Sequence, residues 1–122
     1  MISILICDDD LIQIKLLESF LRDKYAVTCT NNGLDAKHLL LAKHFDIIIT
    51  DIFMPILDGL ELILFVKESN ILSKIIAISC GGNVLRSLNY LRYASDFGAD
   101  IILSKPLNKE DVLSSINTLL HR

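Results

Sequence analysis

In residues 4–12, ILICDDDLI, an apolar run typical of a buried strand is followed directly by three consecutive aspartates. The four apolar residues predict a strand covered on both faces. The acids that follow are Asp8, Asp9 and Asp10, and two unit charges ~4 Å apart repel each other by about 4 kcal/mol at an effective dielectric constant of ~20. The cluster therefore indicates either a solvated turn or part of a site that binds positive charge.

The strand-like pattern of this segment recurs along the chain. Short runs rich in β-branched residues alternate with stretches in which apolar residues have helical spacing. Five such units predict an α/β fold, with a parallel sheet covered by helices on both faces. The predicted strands are Ile2–Cys7, Ala26–Thr30, Asp46–Thr50, Lys74–Ser79 and Asp100–Leu103.

Local signals predict where the helices begin and end. Polar caps favour helix starts, and a glycine in the left-handed conformation favours a helix end. These signals predict a first helix near Leu11–Lys24 and a helix that begins at the capping box of Asp58 and Glu61. They also predict a helix that ends at Gly98, and a last helix near Lys109–His121 that is capped by Asn108.

Composition limits the classes of protein that fit. The 122 residues are 52% hydrophobic and 22% charged, with a net charge of −3, which predicts one globular domain. No apolar run is long enough to span a membrane, and no lysine–arginine cluster favours direct binding to nucleic acid. Cys7, Cys29 and Cys80 are widely spaced, which is typical of reduced thiols in a cytoplasmic protein.

Polar residues follow the predicted strands where a parallel sheet binds its ligands. Asp8 and Asp9 follow the first strand, Asp51 the third, Ser79 ends the fourth, and Lys105 follows the fifth. Carboxylate oxygens suit Mg²⁺, whereas an ammonium and a hydroxyl suit phosphoryl oxygens. The set predicts phosphoryl transfer in which Asp51 becomes an aspartyl phosphate and the paired acids hold the metal.

Four motifs, in this order and spacing, resemble the two-component response-regulator receiver domain of the CheY-like superfamily. They are CDDD (7–10), TDIFMPILDG (50–59), AIS (77–79) and LSKPL (103–107), and the resemblance covers essentially the whole chain. It implies a (βα)₅ doubly wound, flavodoxin-like sheet with strand order 2-1-3-4-5. It also implies one receiver domain over residues 1–122, with no output domain in this chain.

The resemblance also implies a role for each site residue. Asp51 matches the aspartate that receives a phosphoryl group from a sensor histidine kinase or a histidine phosphotransfer protein. Asp8 and Asp9 match the acids that position Mg²⁺ (or Mn²⁺), with Asp9 the direct ligand. The backbone carbonyl of Phe53 completes that site, and Ser79 and Lys105 bind the phosphoryl oxygens. The expected catalysis is limited to autocatalytic phosphorylation and autodephosphorylation, so the chain is not classed as an enzyme.

The signalling surface is expected on the fourth helix, fifth strand and last helix. This surface would bind a downstream protein or an output domain, or form a homodimer, and Tyr90 and Tyr93 mark it in the sequence. Ile102 stands where many receivers have an aromatic switch residue. The segment after Ser79 is a few residues longer than usual, and a cis peptide bond is expected before Pro106.

Two other functions remain open at this point. A haloacid-dehalogenase-like phosphatase would use Asp8 and Asp10, but Ile12 replaces the threonine or valine expected there, and Asp51 would have no role. A pseudo-receiver would bind partners without phosphorylation and would lack an acceptor, metal or lysine residue, all of which are present. In the receiver interpretation, Asp10 is a helix cap.

Overall fold

The computed structural model describes residues 1–79, 92 and 94–121, and contains one five-stranded parallel sheet. The strand order is β2-β1-β3-β4-β5, which confirms the predicted topology. β3 and β5 each begin and end one residue later than predicted. The strands are β1 (Ser3–Cys7), β2 (Ala26–Thr30), β3 (Ile47–Asp51), β4 (Lys74–Ser79) and β5 (Ile101–Ser104).

Helices cover both faces of this sheet, as the apolar strands require. The helices are α1 (Leu11–Leu21), α2 (Gly33–Ala42), α3 (Gly59–Glu68) and the C-terminal helix (Lys109–Leu120). Arg92 and residues 94–97 are also helical. α1 ends three residues before the predicted Lys24, because the backbone N–H groups of Lys24 and Tyr25 both donate to the Leu21 carbonyl and turn the chain towards β2.

Two apolar cores lie on opposite faces of the sheet. On one face, Ile4 and Ile6 of β1 pack with α1 and the C-terminal helix. On the other face, Leu5 and Cys7 pack with α2 and α3. This alternation follows from the two-residue period of a strand. On the two flanking helices, the apolar residues at helical spacing face the first of these cores: Leu120 is half-buried, and the others are buried, namely Ile14, Leu17, Leu21, Val112, Ile116 and Leu119.

Hydrogen bonds confirm three predicted helix starts and the predicted helix end at Gly98. Asp10, Asp58 and Asn108 each accept a backbone N–H at the start of a helix, at distances of 2.9, 2.9 and 2.8 Å. Gly98 has φ 121°, and the next residue donates its N–H to the Ala94 carbonyl at 2.9 Å. Asn32 caps α2 in the same way, which the sequence analysis did not predict.

Several sequence features can be placed and others cannot. Cys7 is buried, Cys29 is half-buried, and Ile102 packs partly buried against the α2–α3 core. Cys80, Tyr90, Tyr93 and most of the segment after Ser79 lie outside the described residues. Within the part that is described, no helix is both long and apolar enough to cross a membrane.

Candidate functional site

The carboxyl ends of four strands bring the predicted site residues to one rim of the sheet. β3 pairs with β4 so that Asp51 lies opposite Ile78, and β4 pairs with β5 so that Ser79 lies opposite Ser104. Carboxylate oxygens of Asp8, Asp9 and Asp51 all lie within 4.8 Å of one another. Residues far apart in the sequence therefore form one acidic cluster, as predicted.

Lys105 places its ammonium group between two of these acids. Its Nζ lies 3.4 Å from Asp51 Oδ2 and 3.6 Å from Asp8 Oδ2. The Lys105 backbone N–H donates to the Ser79 carbonyl at 2.9 Å, which ties this residue to the end of β4. The peptide bond between Lys105 and Pro106 is cis, as the resemblance implied.

Much of the polar surface of the site is buried. Asp8, Asp51 and Ser79 are 1%, 4% and 1% exposed, whereas Asp9 is exposed. Among the described residues, Ser79 Oγ, Asp8 Oδ2 and Asp51 Oδ1 have no hydrogen-bond partner. Because buried polar atoms are costly to leave without partners, these oxygens indicate a site suited to a ligand. Carboxylate oxygens beside a hydroxyl and an ammonium fit Mg²⁺ together with a phosphoryl group.

Burial and crowding change the acidity of the two buried aspartates. Burial raises the pKa of Asp51 to about 6; the Asp8 carboxylate adds to this rise, and the Lys105 ammonium and the Phe53 N–H oppose it. Burial also raises the pKa of Asp8, against the N–H of Asp10 and the charge of Lys105. Both carboxylates therefore hold protons more tightly than solvent-exposed acids do.

These raised pKa values predict that the metal-free protein is more stable at pH 5 than at pH 7.5. The folded state binds a proton at Asp51 below about pH 6, whereas the unfolded state binds it only near the ordinary value, 3.8. Stability therefore rises as the pH falls through about 6. At pH 5, one unit below the folded pKa, the gain from Asp51 is about 1.4 kcal/mol. Urea denaturation in EDTA at the two pH values measures the difference.

The comparison variant for this prediction is Asp51→Asn, which removes the titrating group. We expect this variant to lose most of the stability gain at pH 5, with the remainder due to Asp8, whose pKa is also raised. A wild-type protein that is equally stable at both pH values, or less stable at pH 5, would contradict the prediction. The comparison stays at pH 5 and above because Asp46 opposes the effect of Asp51 at lower pH. The Ser3 backbone N–H lowers the pKa of Asp46, so the folded state loses stability when the falling pH protonates this carboxylate.

Two glycines hold the loop that follows Asp51. A Cβ at Gly59 would lie 2.1 Å from the Asp51 carbonyl oxygen, and a Cβ at Gly33 would lie 2.2 Å from the Leu57 carbonyl oxygen. Neither distance is compatible with a side chain, so the start of α3 packs on the end of β3, and the loop packs on the start of α2. Neither contact was predicted from the sequence, where the only signal was that Gly59 directly follows the predicted helix cap Asp58.

A strained turn lies within the same loop. The Leu57 N–H donates to the Pro55 carbonyl at 2.9 Å, and the residue between them, Ile56, has φ 72°. An i to i+2 hydrogen bond around a positive φ is typical of the classic γ-turn, which is rare and strained. A β-branched residue adopts this conformation at a cost of about 1–3 kcal/mol.

The three consecutive acids of segment 4–12 have different positions. Asp8 is buried and accepts the Asp10 N–H at 2.9 Å, Asp9 is the exposed member of the acidic cluster, and Asp10 is the N-cap of α1. Asp10 is therefore a helix cap, as predicted. Phe53 is half-buried, two residues after Asp51, and the role of its carbonyl remains a prediction.

Comparison with known proteins gives the family. The family model of the response regulator receiver domain matches residues 4–117. The chain therefore belongs to the response regulator receiver family and is a receiver domain of the two-component type. Receivers are signalling domains, and the prediction of family, fold and broad function is confirmed.

Particular relatives agree with this assignment. "Probable transcriptional regulator ycf29" of Pyropia yezoensis is 34% identical over 121 residues, covering 98% of this chain and 54% of that protein. "Response regulator MprA" of Mycobacterium leprae is 31% identical over 115 residues, covering 94% of this chain and 49% of that protein. The chain thus spans about half the length of these relatives.

Solved structures confirm the fold. A response regulator receiver domain protein (CheY-like) from Methanospirillum hungatei has a TM-score of 0.89 at 25% identity, covering 99% of this chain and 94% of that one. A response regulator receiver domain protein from Clostridium thermocellum has the same TM-score at 23% identity, covering 100% and 96%.

Proposed function

We propose that this receiver domain, residues 1–122, is a phosphorylation switch in which Asp51 accepts a phosphoryl group in the presence of Mg²⁺ or Mn²⁺. The observation that carries the proposal is the cluster of carboxylate oxygens from Asp8, Asp9 and Asp51 within 4.8 Å of one another, with the Lys105 ammonium 3.4 Å from Asp51. Asp9 is the direct metal ligand in this proposal, with Asp8, Asp51 and the Phe53 carbonyl completing the site.

A divalent ion bound there supplies charge neutralisation for the phosphoryl oxygens. Asp51 is mostly ionised at neutral pH, since its pKa is about 6, and its carboxylate oxygen attacks phosphorus in line. The new phosphorus–oxygen bond forms as the bond to the donor's leaving group breaks, and the leaving group keeps the electron pair. Ser79 Oγ and Lys105 Nζ then donate hydrogen bonds to the phosphoryl oxygens.

The contacts of Ser79 and Lys105 with the phosphoryl group provide the signal. They exist only in the phosphorylated state, so they bias an equilibrium between inactive and active conformations. A complete switch from 1:99 to 99:1 requires about 5.5 kcal/mol of such bias. Slow autodephosphorylation would reset the switch.

The partners we propose are a sensor histidine kinase or a histidine phosphotransfer protein as donor, and a downstream protein or output domain as target. The target surface is β5, the C-terminal helix and the segment before β5, which would also serve for a homodimer. The proposed location is the cytoplasm. The phosphatase alternative is disfavoured, because the Asp10 carboxylate that it needs accepts the Ile12 N–H as a helix cap.

The experiment that tests the proposal is incubation with acetyl phosphate and Mg²⁺, followed by intact mass measurement and peptide mapping. We expect one phosphoryl adduct, on the peptide that contains Asp51, and its loss when EDTA replaces Mg²⁺. Absence of an adduct on the wild-type protein would overturn the proposal. A beryllofluoride titration that leaves the NMR signals of Ser79 and Lys105 unchanged would remove the switch.

A further inference from the structure

A groove lies on the rim opposite the acidic cluster, between the turn that joins α2 to β3 and the turn that joins α3 to β4. It consists of two adjoining hollows with volumes of about 320 and about 260 Å³. Residues 40–45 and 71–72 line the larger hollow, and Lys67 with residues 70–74 lines the smaller one, so that residues 71–72 belong to both. The larger volume is within the range of ligand pockets, ~300–1,000 Å³.

Two leucines are exposed to solvent at this groove. Leu41, in the last turn of α2, is 65% exposed, and Leu72, in the turn before β4, is 86% exposed. Neither side chain belongs to the two apolar cores of the described structure. Large apolar side chains beside a concave surface are typical of a site that binds another molecule.

Hydrogen bonds fix the two walls of the groove relative to each other. Ser73 Oγ donates to the Phe45 carbonyl at 2.6 Å, and the Lys74 N–H donates to the Asp46 carbonyl at 3.0 Å. The turn that carries Leu72 is therefore held in place before a partner binds. A preformed surface of this kind lowers the entropy cost of binding.

The groove is basic, although the net charge of the chain is −3. Lys43 lines the larger hollow, Lys67 and Lys74 line the smaller one, and no described aspartate or glutamate lines either. None of these three ammonium groups forms an ion pair with a described carboxylate, whereas His44, which also lines the larger hollow, pairs with Asp46 at 3.2 Å. Unpaired ammonium groups around exposed leucines complement carboxylates around apolar side chains.

Charge and shape favour an acidic protein segment over two other occupants. A second copy of this chain, docked about a twofold axis, would bring the same lysines face to face, where like charges repel. Polybasic surfaces that bind anionic membranes usually carry about four to eight lysines and arginines, more than the three lysines here. A hollow also accepts a protruding side chain better than it fits a flat bilayer.

We propose that this groove binds an acidic segment of a partner protein, whose apolar side chains enter the two hollows and whose carboxylates pair with Lys43, Lys67 and Lys74. The groove includes no residue of the acidic cluster, β5 or the C-terminal helix. The segment therefore binds whether or not Asp51 carries a phosphoryl group, and the inference does not depend on the proposed function.

The test uses fluorescently labelled synthetic peptides in which leucines lie among glutamates. One peptide has the leucines at helical spacing and another has them at alternating positions. Counterparts replace every glutamate with lysine or every leucine with serine. Fluorescence anisotropy measures the affinity of each peptide for the 122-residue chain, and NMR chemical shifts locate the bound peptide. Vesicles that contain phosphatidylserine, and sedimentation of the protein alone, test the other two occupants.

We expect at least one glutamate–leucine peptide to bind saturably below about 1 mM, and its lysine and serine counterparts not to bind. Leu72→Asn should weaken this binding about tenfold, because an apolar side chain is lost from the interface. Lys43→Gln should weaken it about threefold, and higher ionic strength should weaken it further. The matched control is Ile12→Gln, which should bind like the wild type because Ile12 is 80% exposed on the rim of the acidic cluster.

Other outcomes overturn the inference in separable ways. Failure of both glutamate–leucine peptides to bind, equal binding of the lysine counterparts, or shift changes confined to the acidic rim would each refute it. Vesicle binding that Leu72→Asn abolishes would assign the groove to a membrane, and a dimer that Leu72→Asn abolishes would assign it to a second copy; the inference is wrong in both cases. Labelling by acetyl phosphate is a separate measurement, and its failure would overturn only the proposed function.

Discussion

Asp51→Asn is expected to abolish the phosphoryl adduct that acetyl phosphate and Mg²⁺ form on the wild-type protein. An amide of the same shape cannot act as the attacking carboxylate, so we expect at least a 100-fold loss of labelling. The fold should persist, because the substitution keeps the side-chain volume and removes a buried carboxylate whose pKa is raised by burial. Intact mass measurement of the labelled proteins gives the comparison.

Asp58 provides a matched control in the same loop. It caps α3 by accepting the Glu61 N–H at 2.9 Å, and asparagine caps helices about as well as aspartate. We therefore expect Asp58→Asn to fold and to be labelled like the wild type. Undiminished labelling of Asp51→Asn, or equal loss in both variants, would show that Asp51 is not the acceptor.

The second large effect expected is the loss of Mg²⁺ binding in Asp9→Asn. Asp9 is exposed beside two buried acids, so the substitution should leave the fold intact while it removes one negative charge from the oxygen cluster. A divalent ion in direct contact with that charge should bind about 100-fold more weakly without it. Titration with Mg²⁺, followed by NMR or by thermal denaturation, measures the affinity.

The neighbouring acid, Asp10, controls for a general effect of charge. Asp10→Asn removes the same charge one residue further on and preserves the cap of α1. We expect its Mg²⁺ affinity to fall no more than about threefold, as for a charge outside the coordination sphere. Similar losses in Asp9→Asn and Asp10→Asn would contradict the assignment of Asp9 as the ligand.

Much of the fold and of the candidate site could be predicted from the sequence, because both depend on periodic patterns of apolar residues. Apolar strands such as β1 and β3 alternate with helices in a way that only a parallel sheet accommodates. Once the sheet is parallel, the residues after its strands must meet at one rim, which is why Asp9, Asp51 and Lys105 could be assigned together. Asp10 could also be separated from its neighbours, since a helix begins directly after it.

Other features depend on contacts between distant residues and leave no local pattern. Nothing around Gly33 shows that the Leu57 carbonyl will lie against it. The sequence also gives no sign that Ile56 adopts a positive φ, because β-branched residues normally avoid that conformation. The exposure of Ile12 could not be predicted either, because an apolar residue in the first turn of a helix ordinarily suggests burial.

The contact between Gly59 and the Asp51 carbonyl limits where this protein can be engineered as a biosensor. A reporter inserted into the loop between Asp51 and Gly59 would push the start of α3 away from the end of β3 and displace the acceptor. The space between the Gly59 Cα and the Asp51 carbonyl has no room even for a methyl group. The turn between α2 and β3, on the opposite rim, is free of that constraint. Fluorescent reporters should therefore be grafted near Lys43, where they would leave the acceptor loop in place.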